Sequence, residues 1–210
     1  MLSYGARMEP GSILYTIGHS NHPIERFLGL LHAQGVTALA DVRSHPVSRF
    51  NPQHNRAALE TSLEGAGIAY LFLGRELGAR TNDPDCIVEA KVSYARLAQR
   101  ATFRDGLAKL REAIAARRVA LMCAERDPLA CHRAILVARP LYEAGVPVAH
   151  ILADGALESH ETAIARLLRE LGLPAQDLHL DALVAEAYRM RGERIAYRPA
   201  ERSASRIKPR

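Results

Sequence analysis

Residues 121–133 read "LMCAERDPLACHR" and set Cys123, Glu125, Cys131, His132 and Arg133 close together behind a short apolar run. A carboxylate placed where such a run meets solvent is partly desolvated. That raises its pKa and fits it for proton transfer or nucleophilic attack. Glu125 stands in that position. Asp41, at the end of "ALADV", supplies a second carboxylate for an acid/base pair. Imidazole titrates near neutrality, so His19 and His132 are expected to act as bases or to orient a substrate. The competing assignments are structural: Asp41 accepting from amides of its own turn, and Glu125 pairing with Arg126 or Arg133. Nine histidines in the chain dilute the case for any one of them. His22, His32, His54, His150, His160 and His179 read as surface or structural residues, and His45 as ambiguous.

Arg43, Arg49, Arg75, Arg80 and Arg133 offer planar guanidinium forks for a phosphate or carboxylate, or serve as salt-bridged loop anchors. Arg43 and Arg133 follow strand-end or helix-start positions and are the better candidates. Backbone amides at the helix start after Cys131 would add to an anion site. Ser20, Arg43, Arg80, Cys131 and Arg133 are the expected substrate- and anion-binding set.

The cysteines suggest two sharper chemistries, and spacing argues against both. A phosphatase-type loop needs Cys, five residues, then Arg; counted from Cys123, that place holds Leu129. The same count argues against a rhodanese-like sulfur-transfer loop. Zinc could draw on Cys123, Cys131, His132 and a distant histidine, but C-x7-C-H is not a short-knuckle spacing. Cys123 is read instead as a small buried hydrophobe. Cys131, at a helix start, is open to a lowered pKa and reactivity. No Walker loop or dinucleotide fingerprint is present, so the sequence requires no cofactor.

These residues need a scaffold, and the apolar patterning supplies one. "ILYTIG" (13–18), "ALADV" (38–42), "AYLFLG" (69–74), "VALMCA" (119–124) and "VAHIL" (148–152) read as buried strands. Between them lie helical faces, the first carrying Ile24, Phe27, Leu28 and Leu31. The next carries Leu59 and Leu63. Further helices are expected around 86–100, 103–117 and 134–141, the last kinked or broken near Arg139 by Pro140. This alternation predicts an α/β fold, a mainly parallel sheet of about five strands with helices on both faces, plus a helical C-terminal extension. The expected divisions are 1–155, 156–191 for the extension, and 192–210 for a basic, partly disordered tail. Right-handed crossovers bring every strand-to-helix loop to one sheet edge. "GHSNHP", "DVRSHPVSRFNPQHN", "LGRELGAR" and the 121–133 stretch should therefore share one cleft.

A hydrophobic fraction of 48% and a charged fraction of 24% suit a globular domain. No apolar run approaches a membrane span, the first residues lack a signal-peptide layout, and three cysteines make no disulfide framework. A reduced cytoplasmic protein without a membrane partner is expected. Of the net charge of +5, residues 189–210 carry +6, leaving −1 for the rest. That tail suits nucleic acid or an acidic surface, or simply solvation.

"YTIGHSNHPIERFLGLL", "DVRSHPVSRFNPQHNRAAL", "YLFLGRELGAR" and "ALMCAERDPLACHRAILVA", in that order, resemble the DUF488 family of uncharacterised bacterial and archaeal proteins. The likeness spans about residues 13–152. "HILADGALESHE" and "GERIAY" resemble its longer members. The resemblance implies an α/β fold with a site built from the GHS, DVR and CAE…CHR motifs. It carries over His19, Ser20, Asp41, Arg43, Pro46, Glu125, Cys131, His132 and Arg133, and it implies no activity. The functional expectation is a hydrolase or group transferase for a phosphate-bearing small molecule, nucleotide or nucleic acid. The alternatives are a non-catalytic nucleotide- or nucleic-acid-binding module, and a metal- or thiol-dependent sensor built on Cys123, Cys131 and His132.

Overall fold

Largely apolar parallel strands must be covered on both faces, and the five runs form such strands at the centre of the computed structural model, which describes residues 13–173 and 180–199. They are β1 (Leu14–Gly18), β2 (Ala38–Asp41), β3 (Ala69–Phe72), β6 (Val119–Cys123) and β7 (Val148–Ile151). All five are parallel, in the order β3-β2-β6-β1-β7. A sixth strand, β8 (Leu157–Ser159), lies antiparallel on the β7 edge, where only helix was expected. It is three residues long and mostly exposed, too short to show an alternating pattern.

Residue parity along each strand divides the core. Tyr15, Ile17, Leu39, Ala120 and Met122 face α1 (Ile24–Ala33) and α2 (Arg56–Gly65) through Phe27, Leu31, Leu59 and Leu63. Leu14, Ala40, Leu121 and Cys123 face the opposite layer. That layer includes α3 (Gly74–Leu77), α5 (Ala101–Ala116) and the helix after β6. The stretch expected as helix from 86 to 100 differs. It holds a hairpin of β4 (Ile87–Val88) and β5 (Lys91–Val92), then the short helix α4 (Tyr94–Ala98). Glu89 and Ala90 turn the hairpin at φ 49° and 59°, a conformation usually supplied by Asn or Gly.

After β6, residues Arg133–Ala138 are wound as a π-helix that passes into α6 (Arg139–Glu143). The change of winding falls where the kink was expected. Pro140 thus sits in the first turn of a new segment, where its missing N–H is tolerated. The C-terminal extension comprises α7 (His160–Glu170) and α8 (Leu180–Ile195), packed through Leu167, Ala187 and Tyr188 onto Leu129 and Ile135. Helix α8 continues past residue 191, and Tyr197 packs against the core. His179 and most of the expected tail, residues 200–210, lie outside the described residues. Among the described residues no helix is long and apolar enough to cross a membrane.

Candidate active site

The chain leaves β1 for α1 on one face of the sheet and leaves the adjacent β6 for the π-helix on the other. Neighbouring strands whose connections part in this way open a crevice at their carboxyl ends. A cleft of about 450 Å³ occupies that position. It is lined by His19 and Ser20 after β1, Arg43 and Ser44 after β2, Cys123 and Glu125 at the end of β6, and Cys131 and His132 at the start of the π-helix. Arg80, Tyr94 and Tyr197 close other sides.

Backbone approach fixes the two central loops. A Cβ on Gly18 would lie 1.9 Å from the Glu125 carbonyl oxygen, so only glycine lets this loop cross the end of β1. His19 and Ser20 then donate their amides to the Cys123 and Ala124 carbonyls, each at 2.9 Å. Arg133 is fully buried. Its Nη1 and Nη2 donate to the carbonyls of Glu125 and Arg126 at 2.7 and 3.2 Å. Asp127 caps the turn at Leu129 and receives both Nη atoms of Arg166. The Glu125 loop is therefore held from three sides.

Asp41 and Arg43 form a buried pair with Nη2 2.6 Å from Oδ2. The Tyr70 hydroxyl donates to the same carboxylate at 2.9 Å. Asp41 lies behind the cleft wall, and its carboxylate orients Arg43. Arg43 Nη2 also donates to the His54 carbonyl, and Nη1 donates to Nε2 of His19 at 3.1 Å. His19 Nδ1 in turn donates to the Ser20 carbonyl at 2.9 Å. Burial, together with the charges of Arg43 and His54, pushes the His19 pKa down to about 3. It is a neutral ring with both nitrogens engaged, stacked at 4.5 Å on buried His54.

The other wall is made of sulfur, imidazole and carboxylate. His132 donates Nε2–H to the Val42 carbonyl at 3.0 Å, which turns Nδ1 toward Cys123 Sγ (3.7 Å) and Cys131 Sγ (3.8 Å). Cys131 Sγ lies 3.0 Å from Oε2 of Glu125 and accepts the Arg133 amide at 3.4 Å. Burial alone opposes charge on Cys131. The Cys123 thiol, the Arg133 guanidinium and His132 outweigh it and hold Cys131 well below the usual thiol range. The hydrogen bond to Cys131, with burial added, pushes Cys123 well up. His132 is raised, because the Cys131 sulfur, Glu125 and the Val42 carbonyl outweigh its burial. Desolvation and the Cys131 sulfur raise Glu125.

A scan of protein families matches residues 23–139 to the domain of unknown function DUF488, more than half of the chain. The chain belongs to the DUF488 family. No curated protein and no solved structure matches it significantly.

In this DUF488 chain, the structure brings His19, Ser20, Arg43, Arg80, Glu125, Cys131 and His132 to one cleft and sets Asp41 and Arg133 behind its walls. Cys123, expected as a small buried hydrophobe and only in the metal or sensor alternatives as a site residue, also lines the cleft. Its signal was parity: Cys123 shares the Leu121 face of β6, the face on which the chain returns as the π-helix. Tyr94 and Tyr197 come from outside the four loops, and no local pattern marked them.

Proposed function

We propose that the protein is an enzyme, a hydrolase or group transferase acting on a small phosphate-bearing molecule such as a nucleotide. One observation carries this reading: among the described residues Glu125 is the single carboxylate lining a cleft whose other polar side chains are arginine, histidine, serine, asparagine, tyrosine and cysteine. Both ring nitrogens of His19 are occupied, so proton transfer falls to Glu125, which takes a proton from the attacking water or hydroxyl. Arg43 is neutralised by Asp41 behind it. Exposed Arg80 is then the cation that meets the substrate's anionic group, with Ser20, Ser44, Ser48 and Asn21 as neutral partners.

A thermal-shift screen of nucleotides and phosphorylated metabolites identifies the ligand, because binding stabilises the native state by mass action. For a ligand so found, Glu125→Gln is expected to abolish turnover with binding largely retained. Turnover at the wild-type rate in that variant removes Glu125 from the chemistry. A screen in which unphosphorylated analogues stabilise equally well removes the phosphate.

A further inference from the structure

We infer that Cys123, Cys131 and His132 bind a borderline-soft divalent cation, zinc above all, at the inner wall of the cleft. The inference deepens the enzymatic reading above, and concerns how that site would activate its nucleophile.

The three ligand atoms lie within 4.8 Å of one another. Zinc–sulfur bonds of about 2.3 Å and zinc–nitrogen bonds of about 2.05 Å at tetrahedral angles separate sulfur from nitrogen by about 3.6 Å. The observed distances from Nδ1 to the two sulfurs are 3.7 and 3.8 Å, so small adjustments admit the ion. The imidazole is already oriented for the task. A ligating histidine normally gives its other ring N–H to a carbonyl or carboxylate, and His132 gives Nε2–H to Val42. Two thiolates with an imidazole select zinc over magnesium or calcium, which require oxygen donors.

Three protein ligands beside an open cleft describe a catalytic site, in which the fourth position holds water. The Glu125 oxygen is 3.0 Å from Cys131 Sγ, closer than the roughly 3.6 Å between two ligands of one tetrahedral ion. We therefore place Glu125 beside the fourth position, as the acceptor of the proton of bound water. The charge balances: two thiols and a neutral imidazole bind M²⁺ and release two protons, leaving a site of zero formal charge.

The test starts from the full chain, purified under reducing conditions, stripped with a chelator and titrated with zinc against a chromophoric competitor. About one zinc per chain is expected. Cobalt(II) in its place should give the intense d–d bands of a tetrahedral site and thiolate-to-cobalt charge-transfer absorption. Cys131→Ala and Cys123→Ala should each weaken zinc binding by roughly 100-fold or more and remove the charge-transfer bands. Should those variants fail to fold, the wild-type titration and cobalt spectrum decide alone. Folded, reduced wild-type protein that competes no better for zinc than a Cys123→Ala/Cys131→Ala/His132→Ala chain, or a cobalt spectrum without thiolate bands, overturns the inference. The two readings also fail separately. Turnover undiminished by metal removal sinks the metal and leaves the enzyme. Stoichiometric metal with no turnover of any screened phosphate compound does the reverse.

Discussion

Arg43 Nη2 lies 2.6 Å from Asp41 Oδ2, and the two side chains are 6% and 0% exposed. Asp41 also accepts from the Arg43 amide and Nε, and from the Tyr70 hydroxyl. Removing one member of such a pair leaves a buried charge without its partner, a loss of about 3–5 kcal/mol. Asp41→Asn is expected to lower stability by that amount. Asp41→Asn combined with Arg43→Met should recover part of it, because no charge is then stranded. Urea unfolding of the wild type, both single variants and the double closes the cycle. Additive losses would show that the pair is not coupled.

The pair also shows what the sequence could convey. "DVR" stands at a strand end, and both residues were read as functional. Their mutual geometry follows from parity, which sends Asp41 to the α1/α2 face, where Tyr70 of neighbouring β3 meets it. The five parallel strands are legible because each is a largely apolar run, broken only by Thr16, Asp41 and His150. The hairpin at Ile87–Val92 was not, since "VEAK" holds none of the turn residues that Glu89 and Ala90 replace. The sulfur–imidazole wall is legible only as a minor alternative, for a related reason. C-x7-C-H was compared with knuckle spacings, in which one loop folds on itself. Here a strand end and the start of the following helix bring the three groups together.

Gly18 gives a second prediction. An added Cβ would lie 1.9 Å from the Glu125 carbonyl oxygen, and neither atom is the free end of a side chain. Gly18→Ala must push the Glu125 loop off β1 and break the amide bonds from His19 and Ser20 to Cys123 and Ala124. A loss of about 1–3 kcal/mol is expected. Gly29→Ala in α1 is the control: nothing lies within 4 Å of its Cβ, and relief of backbone entropy should stabilise by about 0.5–1 kcal/mol. Thermal unfolding of the two variants checks the opposite signs.

Arg133 is predicted to serve as the anchor of the Glu125 loop. Its two Nη atoms hold the Glu125 and Arg126 carbonyls, a forked contact that a single ammonium cannot reproduce. Arg133→Lys should destabilise by roughly 2–3 kcal/mol and speed amide hydrogen exchange between residues 124 and 130. Exchange unchanged in that segment would show the loop to be held without it.

The final prediction concerns acid. Thr16, His150, His160 and Tyr188 form one buried chain: Thr16 Oγ1 to His150 Nδ1 at 2.7 Å, His150 Nε2 to His160 Nδ1 at 3.0 Å, and His160 Nε2 to the Tyr188 hydroxyl at 2.8 Å. It ties β1 and β7 to α7 and α8. Burial is the main cause that pushes His150 down to about 2, helped by the charges of His160, Arg133 and Arg166 against the opposing Asp127. Burial pushes His160 down to about 4, against the opposing pull of Glu161 and Glu158. The ring of Tyr142 packs 4.7 Å from His160 and brings no charge near neutrality. Both folded-state values lie below the unfolded value of about 6.5. Below that pH the unfolded chain binds more protons, so stability is whole above about 6.5 and falls as pH drops. Two histidines held neutral give a slope of up to about 2.7 kcal/mol per pH unit, reduced to half once His160 protonates near pH 4. Urea unfolding at successive pH values measures that slope, and His160→Gln should remove close to one proton from it. A slope unchanged by the substitution would show that His160 already carries its proton in the folded chain.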